Sequence, residues 1–178
     1  MRPECSKNIF QQSSIAFLTA EFFISNSITL IKLVKLIKKQ LSISDKHHHK
    51  NFVRLIKAYG ILVNRYHINE HLVIIGRVKS LKEEKLLKQI ISESKLENRV
   101  HLLDHIDQSE LPNIYRKASV YVFPSKFETF GFTPLEAMAC GAPVACAQCS
   151  AMPEICGSNV LYFDPDNEED IALKVIKP

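Results

Sequence analysis

From residue 50 onward, apolar positions alternate between a helical and an extended rhythm. Phe52, Leu55, Ile56, Tyr59, Leu62 and Val63 keep a 3.6-residue period, which predicts a helix ending near Tyr66. Residues 71–76 (HLVIIG) are nearly all apolar, as in a strand covered on both faces. A second helical period carries Leu81, Leu86, Leu87, Ile90 and Ile91. Further short apolar runs at 100–103, 119–123, 143–147 and 161–163 predict strands, with helices around 109–117, 134–140 and 168–176 between and after them. This alternation predicts an α/β fold: a parallel sheet with helices on both faces.

In such sheets ligands bind at the carboxyl ends of the strands, so the loops after Gly76, Leu103, Phe123 and Ala147 are the ones to inspect. The loop after Phe123 is the richest. Thr133 is placed to cap a helix, Pro134 suits the first helical position and Glu136 the third. The free N–H groups and positive dipole end of that helix would face the crevice and suit an anion such as a diphosphate, with Gly131 allowing close backbone approach. Thr133-x-x-Glu136 also reads as a capping box that satisfies helix-end donors with no ligand present. Glu128 has no such structural reason, since it follows a buried strand where no helix end calls for it.

Charge and composition narrow the setting. Residues 1–70 hold 11 Lys/Arg against 4 Asp/Glu, and the rest of the chain 12 against 15. The apolar stretch 15–37 is interrupted by Glu21, Asn26, Lys32 and Lys35, short of the run a spanning helix needs. Residues 30–41 (LIKLVKLIKKQL) read either as a basic amphipathic helix lying on anionic lipid or as an ordinary helix or strand packed on the domain. Five cysteines and no export signal suit reduced thiols in the cytoplasm. Cys146-x-x-Cys149 has metal-ligand spacing, but Cys146 falls in an apolar run, so buried thiols without metal are expected. His47-His48-His49 reads as a solvated loop or a phosphate-facing cluster. A nucleic-acid partner is not expected, because the few aromatics of the basic region follow helical core spacing.

Taken together, Pro124-Ser125, Glu128, Gly131, Pro134, Glu136-Ala137-Met138-Ala139, Gly141 and Pro143 resemble the donor-binding motif of the group 1 GT-B glycosyltransferases, whose two glutamates are likewise separated by seven residues. Ser150-Ala151-Met152-Pro153-Glu154, Asp164-Pro165, Lys50-Asn51-Phe52, Leu111 and Tyr115 extend the resemblance over about residues 42–178. It implies one Rossmann-like half of a GT-B enzyme, with 1–41 as a poorly matched N-terminal segment and 42–178 as the donor-binding domain, truncated at its C-terminus. The implied reaction is retaining transfer of a hexosyl unit from a UDP- or GDP-linked donor to an acceptor hydroxyl in polysaccharide biosynthesis. By the same resemblance, Glu136 binds the donor ribose, Glu128 the sugar hydroxyls, and the backbone of Gly131, Phe132 and Thr133 the diphosphate. Lys50 offsets charge on the leaving group, and neither metal nor cofactor is required. The implied partners are the nucleotide-sugar, a sugar or glycolipid acceptor, a separate N-terminal domain and the inner membrane face.

Two departures from the family pattern stand out. Lys39 and Gln40 occupy the places expected for a glycine and an arginine at the end of the first strand, with Lys39 or Lys46 left to supply charge. Asp104 stands where glycine is usual, in a loop near the nucleotide. The rival readings are a non-catalytic nucleotide-sugar-binding subunit completed by a separate acceptor domain, and a basic protein of membrane surfaces or nucleic acid.

Overall fold

A computed structural model describes residues 39–78 and 80–176. Among these residues the strands are β1 (Lys39–Ile43), β2 (His71–Ile75), β3 (Val100–Leu103), β4 (Ala118–Phe123), β5 (Val144–Ala147) and β6 (Leu161–Phe163). The helices are α1 (Phe52–Tyr66), α2 (Leu81–Glu93), α3 (Leu111–Arg116), α4 (Phe132–Ala139), α5 (Met152–Cys156) and α6 (Glu168–Ile176). Every strand pair is parallel, in the order β3-β2-β1-β4-β5-β6, so the expected α/β class is the one observed.

Strand alternation divides the core. Val120 and Val122 of β4 join Leu72, Ile74, Ala145 and Phe163 under the apolar faces of α1, α2 and α6. Tyr121 and Phe123 point to the opposite face, where Tyr115 of α3 meets Tyr121 edge-on at 5.4 Å. α1 ends at Tyr66 as its period predicts. In α2 only the later part of the stripe is buried, through Leu87, Ile90 and Ile91, while Leu81 and Leu86 stay exposed. α3 starts at Leu111, later than its pattern suggests, because residues 108–110 form a separate 3-10 turn.

β1 departs most from its sequence reading. It begins at Lys39, so its first three residues lie before the 41/42 boundary expected above; the rest of segment 30–41 and the stretch 15–37 fall outside the described residues. Gln40 and Ser42 pair in register with Leu72 and Ile74, which places them on the main core face. Their Oε1 and Oγ have no hydrogen-bond partner, nor does Nζ of the wholly buried Lys39.

These buried groups make stability depend on pH. Burial, reinforced by Lys117, pulls Lys39 down to about 8 from 10.5. Burial and then His71, whose ring stacks on His101 at 5.1 Å, pull His101 down to about 4 from 6.5. In both cases the unfolded chain binds the proton more readily, so stability rises with pH from about 4 to 6.5 through His101 and from about 8 to 10.5 through Lys39. Lys39→Met is expected to gain about 2 kcal/mol at neutral pH and to lose the alkaline rise, as read by urea unfolding across that range.

Candidate functional site

Strand order reverses between β1 and β4, the position at which parallel sheets of this kind place their ligand crevice. Residues 44–51 and 124–131 follow the carboxyl ends of these two strands and are joined by Lys126 N–H donating to His49 O and by the Lys50–Glu128 pair. The first of these was not among the loops that the apolar pattern singles out, although Lys50 lies on it.

Lys50 closes a 3-10 turn after the three histidines. Its ammonium forms an ion pair with Glu128 Oε1 across the crevice, and it stands 6.0 Å from the centroid of the Phe123 ring. The two side chains are 15% and 14% exposed, so the pair is largely shielded from water. Four contacts fix the Glu128 loop. Lys126 N–H donates to His49 O at 2.8 Å, Ser125 Oγ to Phe127 O at 3.2 Å, Cys149 Sγ to Ser125 O at 3.0 Å and Ser150 Oγ to Glu128 O at 2.7 Å. Asn51, held at φ 59, donates from Nδ2 to Pro165 O at 2.7 Å and so ties this corner to the Asp164-Pro165 turn.

α4 starts two residues earlier than expected. Gly131, at φ 78, is its N-cap, and no side chain caps this end. A Cβ on Gly131 would lie 2.5 Å from Met152 Cε, the movable end of a flexible side chain, so it is the positive φ that favours glycine here. Thr133 and Glu136 therefore form no capping box. The Ile43 carbonyl can only accept, so the Tyr121 hydroxyl donates to it at 3.2 Å and accepts from Thr133 Oγ1 at 2.7 Å. Glu136 Oε2 instead accepts from the Tyr115 hydroxyl at 2.9 Å. Phe127, Phe130 and Phe132 are exposed, the last two with ring centroids 4.5 Å apart.

Two expectations about the phosphate end are corrected. Lys39 and Gln40 open β1 at the amino end of the sheet, away from the crevice; the residues that follow its carboxyl end are Ser44, Asp45 and Lys46. Lys46 does not offer a free charge either. Its buried ammonium donates to Gly76 O and, at 2.8 Å, to Leu103 O, with Asp104 at 3.6 Å. Asp104 is thus an exposed partner of that clamp. Neither role has a local signature, since both depend on three strand ends that are adjacent only in the fold.

Cys146 is buried in β5, where burial pushes its thiol up, while Cys149 donates to the Ser125 carbonyl. A cavity of about 300 Å³ beside the start of α1 is lined by Lys46, His48, Arg54, Lys126 and Glu168 among others, and excludes Lys50, Glu128 and Glu136. Its charges are largely offset, because Arg54 pairs with Asp166 and Glu168, and Lys126 with Asp166. Among the described residues no helix is long and apolar enough to cross a membrane.

Sheet order and the crevice at its reversal define a Rossmann-like α/β domain of the kind that forms half of a GT-B glycosyltransferase. The chain belongs to the family described as glycosyl transferases group 1, whose sequence profile it matches over residues 29–177. It is 30% identical over 137 residues to O-antigen chain mannosyltransferase B of Escherichia coli, covering 77% of this chain and 35% of that protein. With O-antigen chain mannosyltransferase RfbU of Salmonella typhimurium it shares 28% identity over 149 residues, 82% of this chain and 40% of the relative. The chain therefore spans little more than a third of the length of these relatives. Among solved structures, the C-terminal domain of a group 1 family protein from Francisella tularensis is similar with TM-score 0.71 and 26% identity, over 85% of this chain and 81% of that one. Anabaena HepE, solved in complex with UDP and glucose, gives TM-score 0.72 at 23% identity over 84% of this chain and 41% of that one.

Proposed function

We propose that residues 42–178, together with the start of β1, are the donor-binding domain of a retaining glycosyltransferase that moves a hexosyl unit from a UDP- or GDP-linked donor to an acceptor hydroxyl. The observation that carries this reading is the Lys50–Glu128 pair at the sheet reversal, with the uncapped start of α4 following the same loop and both Lys50 and Gly131 beside the Phe123 ring. Transfer breaks the bond between the anomeric carbon and the diphosphate oxygen and forms one to the acceptor oxygen, whose hydroxyl proton leaves with the nucleoside diphosphate. Negative charge then collects on the leaving diphosphate, where the Lys50 ammonium and the free N–H groups of Phe132 and Thr133 stabilise it. Glu128 accepts from hydroxyls of the donor sugar and Glu136 from those of the ribose. The acceptor, a sugar or glycolipid, is held by a separate N-terminal domain at the inner face of the cytoplasmic membrane, in keeping with relatives named as O-antigen mannosyltransferases.

Calorimetric titration of the chain with UDP and GDP tests the reading. Glu136→Ala is expected to weaken the preferred nucleotide by about tenfold, the worth of a hydrogen bond to a charged group; unchanged affinity would remove Glu136 from the site.

A second reading is a non-catalytic nucleotide-sugar-binding half or subunit that needs a separate N-terminal acceptor domain. Donor turnover measured with and without an acceptor domain separates the two. Turnover by the pair supports the enzyme; binding without turnover supports the subunit.

A further inference from the structure

Glu136 lies exposed on α4, where a glutamate side chain ordinarily samples several rotamers. One of its oxygens is nevertheless anchored to the core. Tyr115, 1% exposed, donates its hydroxyl to Glu136 Oε2 at 2.9 Å. Its ring is wedged edge-on against Tyr121, whose hydroxyl in turn bonds Ile43 O and Thr133 Oγ1. Burial, with Tyr121 and Glu136 beside it, pushes the Tyr115 hydroxyl well above its ordinary range, so it remains a donor at any working pH. A phenylalanine would fill the same apolar space; what the hydroxyl adds is the hold on Glu136.

We propose that Tyr115 is a positioning residue for the donor's ribose: it holds Glu136 by Oε2 and leaves Oε1 to accept from a ribose hydroxyl. This rests on the reading of Glu136 given above. Glu136 is exposed, so its released oxygen would be hydrated, and removing the phenol oxygen leaves no buried polar group without a partner. Tyr115→Phe should therefore fold with little loss of stability.

The test is titration of the full chain with UDP and GDP and with their 2′-deoxy counterparts, alongside thermal unfolding. The unaltered chain is expected to prefer the ribose form by about tenfold, and Glu136→Ala to abolish that preference. Tyr115→Phe is expected to reduce the preference to about threefold while its melting temperature stays within a few degrees. Tyr121→Phe cuts the links to Ile43 and Thr133 but not the link to Glu136, and should weaken ribose and deoxyribose forms alike. A Tyr115→Phe chain that keeps the full preference, weakens both forms equally or fails to fold overturns the proposal. A preference that survives Glu136→Ala overturns the ribose assignment itself, and no binding of either nucleotide by the unaltered chain overturns both.

Discussion

Gly76→Ala is expected to destabilise the domain by about 3–5 kcal/mol, the range in which backbone strain and a hard clash act together. Gly76 follows β2 at φ 150, a conformation that residues with a Cβ rarely adopt. A Cβ there would overlap the Ser44 carbonyl group and stand 2.9 Å from Asp45 N. These are backbone atoms and cannot swing aside. Ser44 N–H donates to Ile75 O at 2.8 Å, Gly76 N–H to Leu103 O at 2.9 Å, and Lys46 N–H to Arg77 O at 2.9 Å, while the Lys46 ammonium holds the Gly76 carbonyl. Relief of the clash would have to part the ends of β1 and β2 and pull on the segment that leads to Lys50. Gly60→Ala provides the opposite sign. It lies inside α1, where a Cβ would meet Leu96 Cδ1 at an ordinary 3.7 Å, so a gain of about 0.5–1 kcal/mol is expected from helix propensity. Denaturant unfolding of the two variants reads both signs, and a Gly76→Ala chain within about 1 kcal/mol of the unaltered one would contradict the close packing of these strand ends.

The elements legible in the sequence were those whose burial matches their composition. Runs such as VYVF in β4 and HLVII in β2 are buried on both faces and read directly as strands. β1 was ambiguous because Lys39, Gln40 and Ser42 put polar groups into a wholly covered central strand, and no periodicity rule anticipates that. The same ambiguity displaced the phosphate-end landmark to Lys39 and Gln40. α5 spans five residues, too short to show a helical period. Thr133 looked like a cap because Thr-x-x-Glu is a local signal, yet its hydroxyl is drawn to Tyr121, twelve residues earlier, through a contact that only the sheet creates. Glu128 stands out locally as a loop glutamate that no helix end calls for, whereas the role of Lys50 comes only from the family resemblance; 78 residues separate the two, and local spacing gives no hint that they meet.

That meeting makes the outcome of removing Lys50 specific. Lys50→Ala is expected to slow donor turnover, in the presence of an acceptor domain, by about 100–1,000-fold, the usual cost of deleting a group that stabilises charge on a departing oxyanion. Affinity of the chain for UDP or GDP should fall as well, by about tenfold or more. Two effects contribute. The ammonium no longer attracts the diphosphate, and Glu128, shielded from water and deprived of its partner, now presents an uncompensated negative charge to an anionic ligand. The second effect is separable. In a Lys50→Ala/Glu128→Gln chain the repulsion is gone, so nucleoside diphosphate binding should recover in part, whereas turnover should stay low because nothing replaces the ammonium in the transition state. Equal binding by the single and double variants would mean that Glu128 does not face the diphosphate. Normal turnover by Lys50→Ala would remove the leaving-group role from Lys50. Recovery of affinity without recovery of rate is the pattern that this ion pair, placed at the reversal of the sheet, should produce.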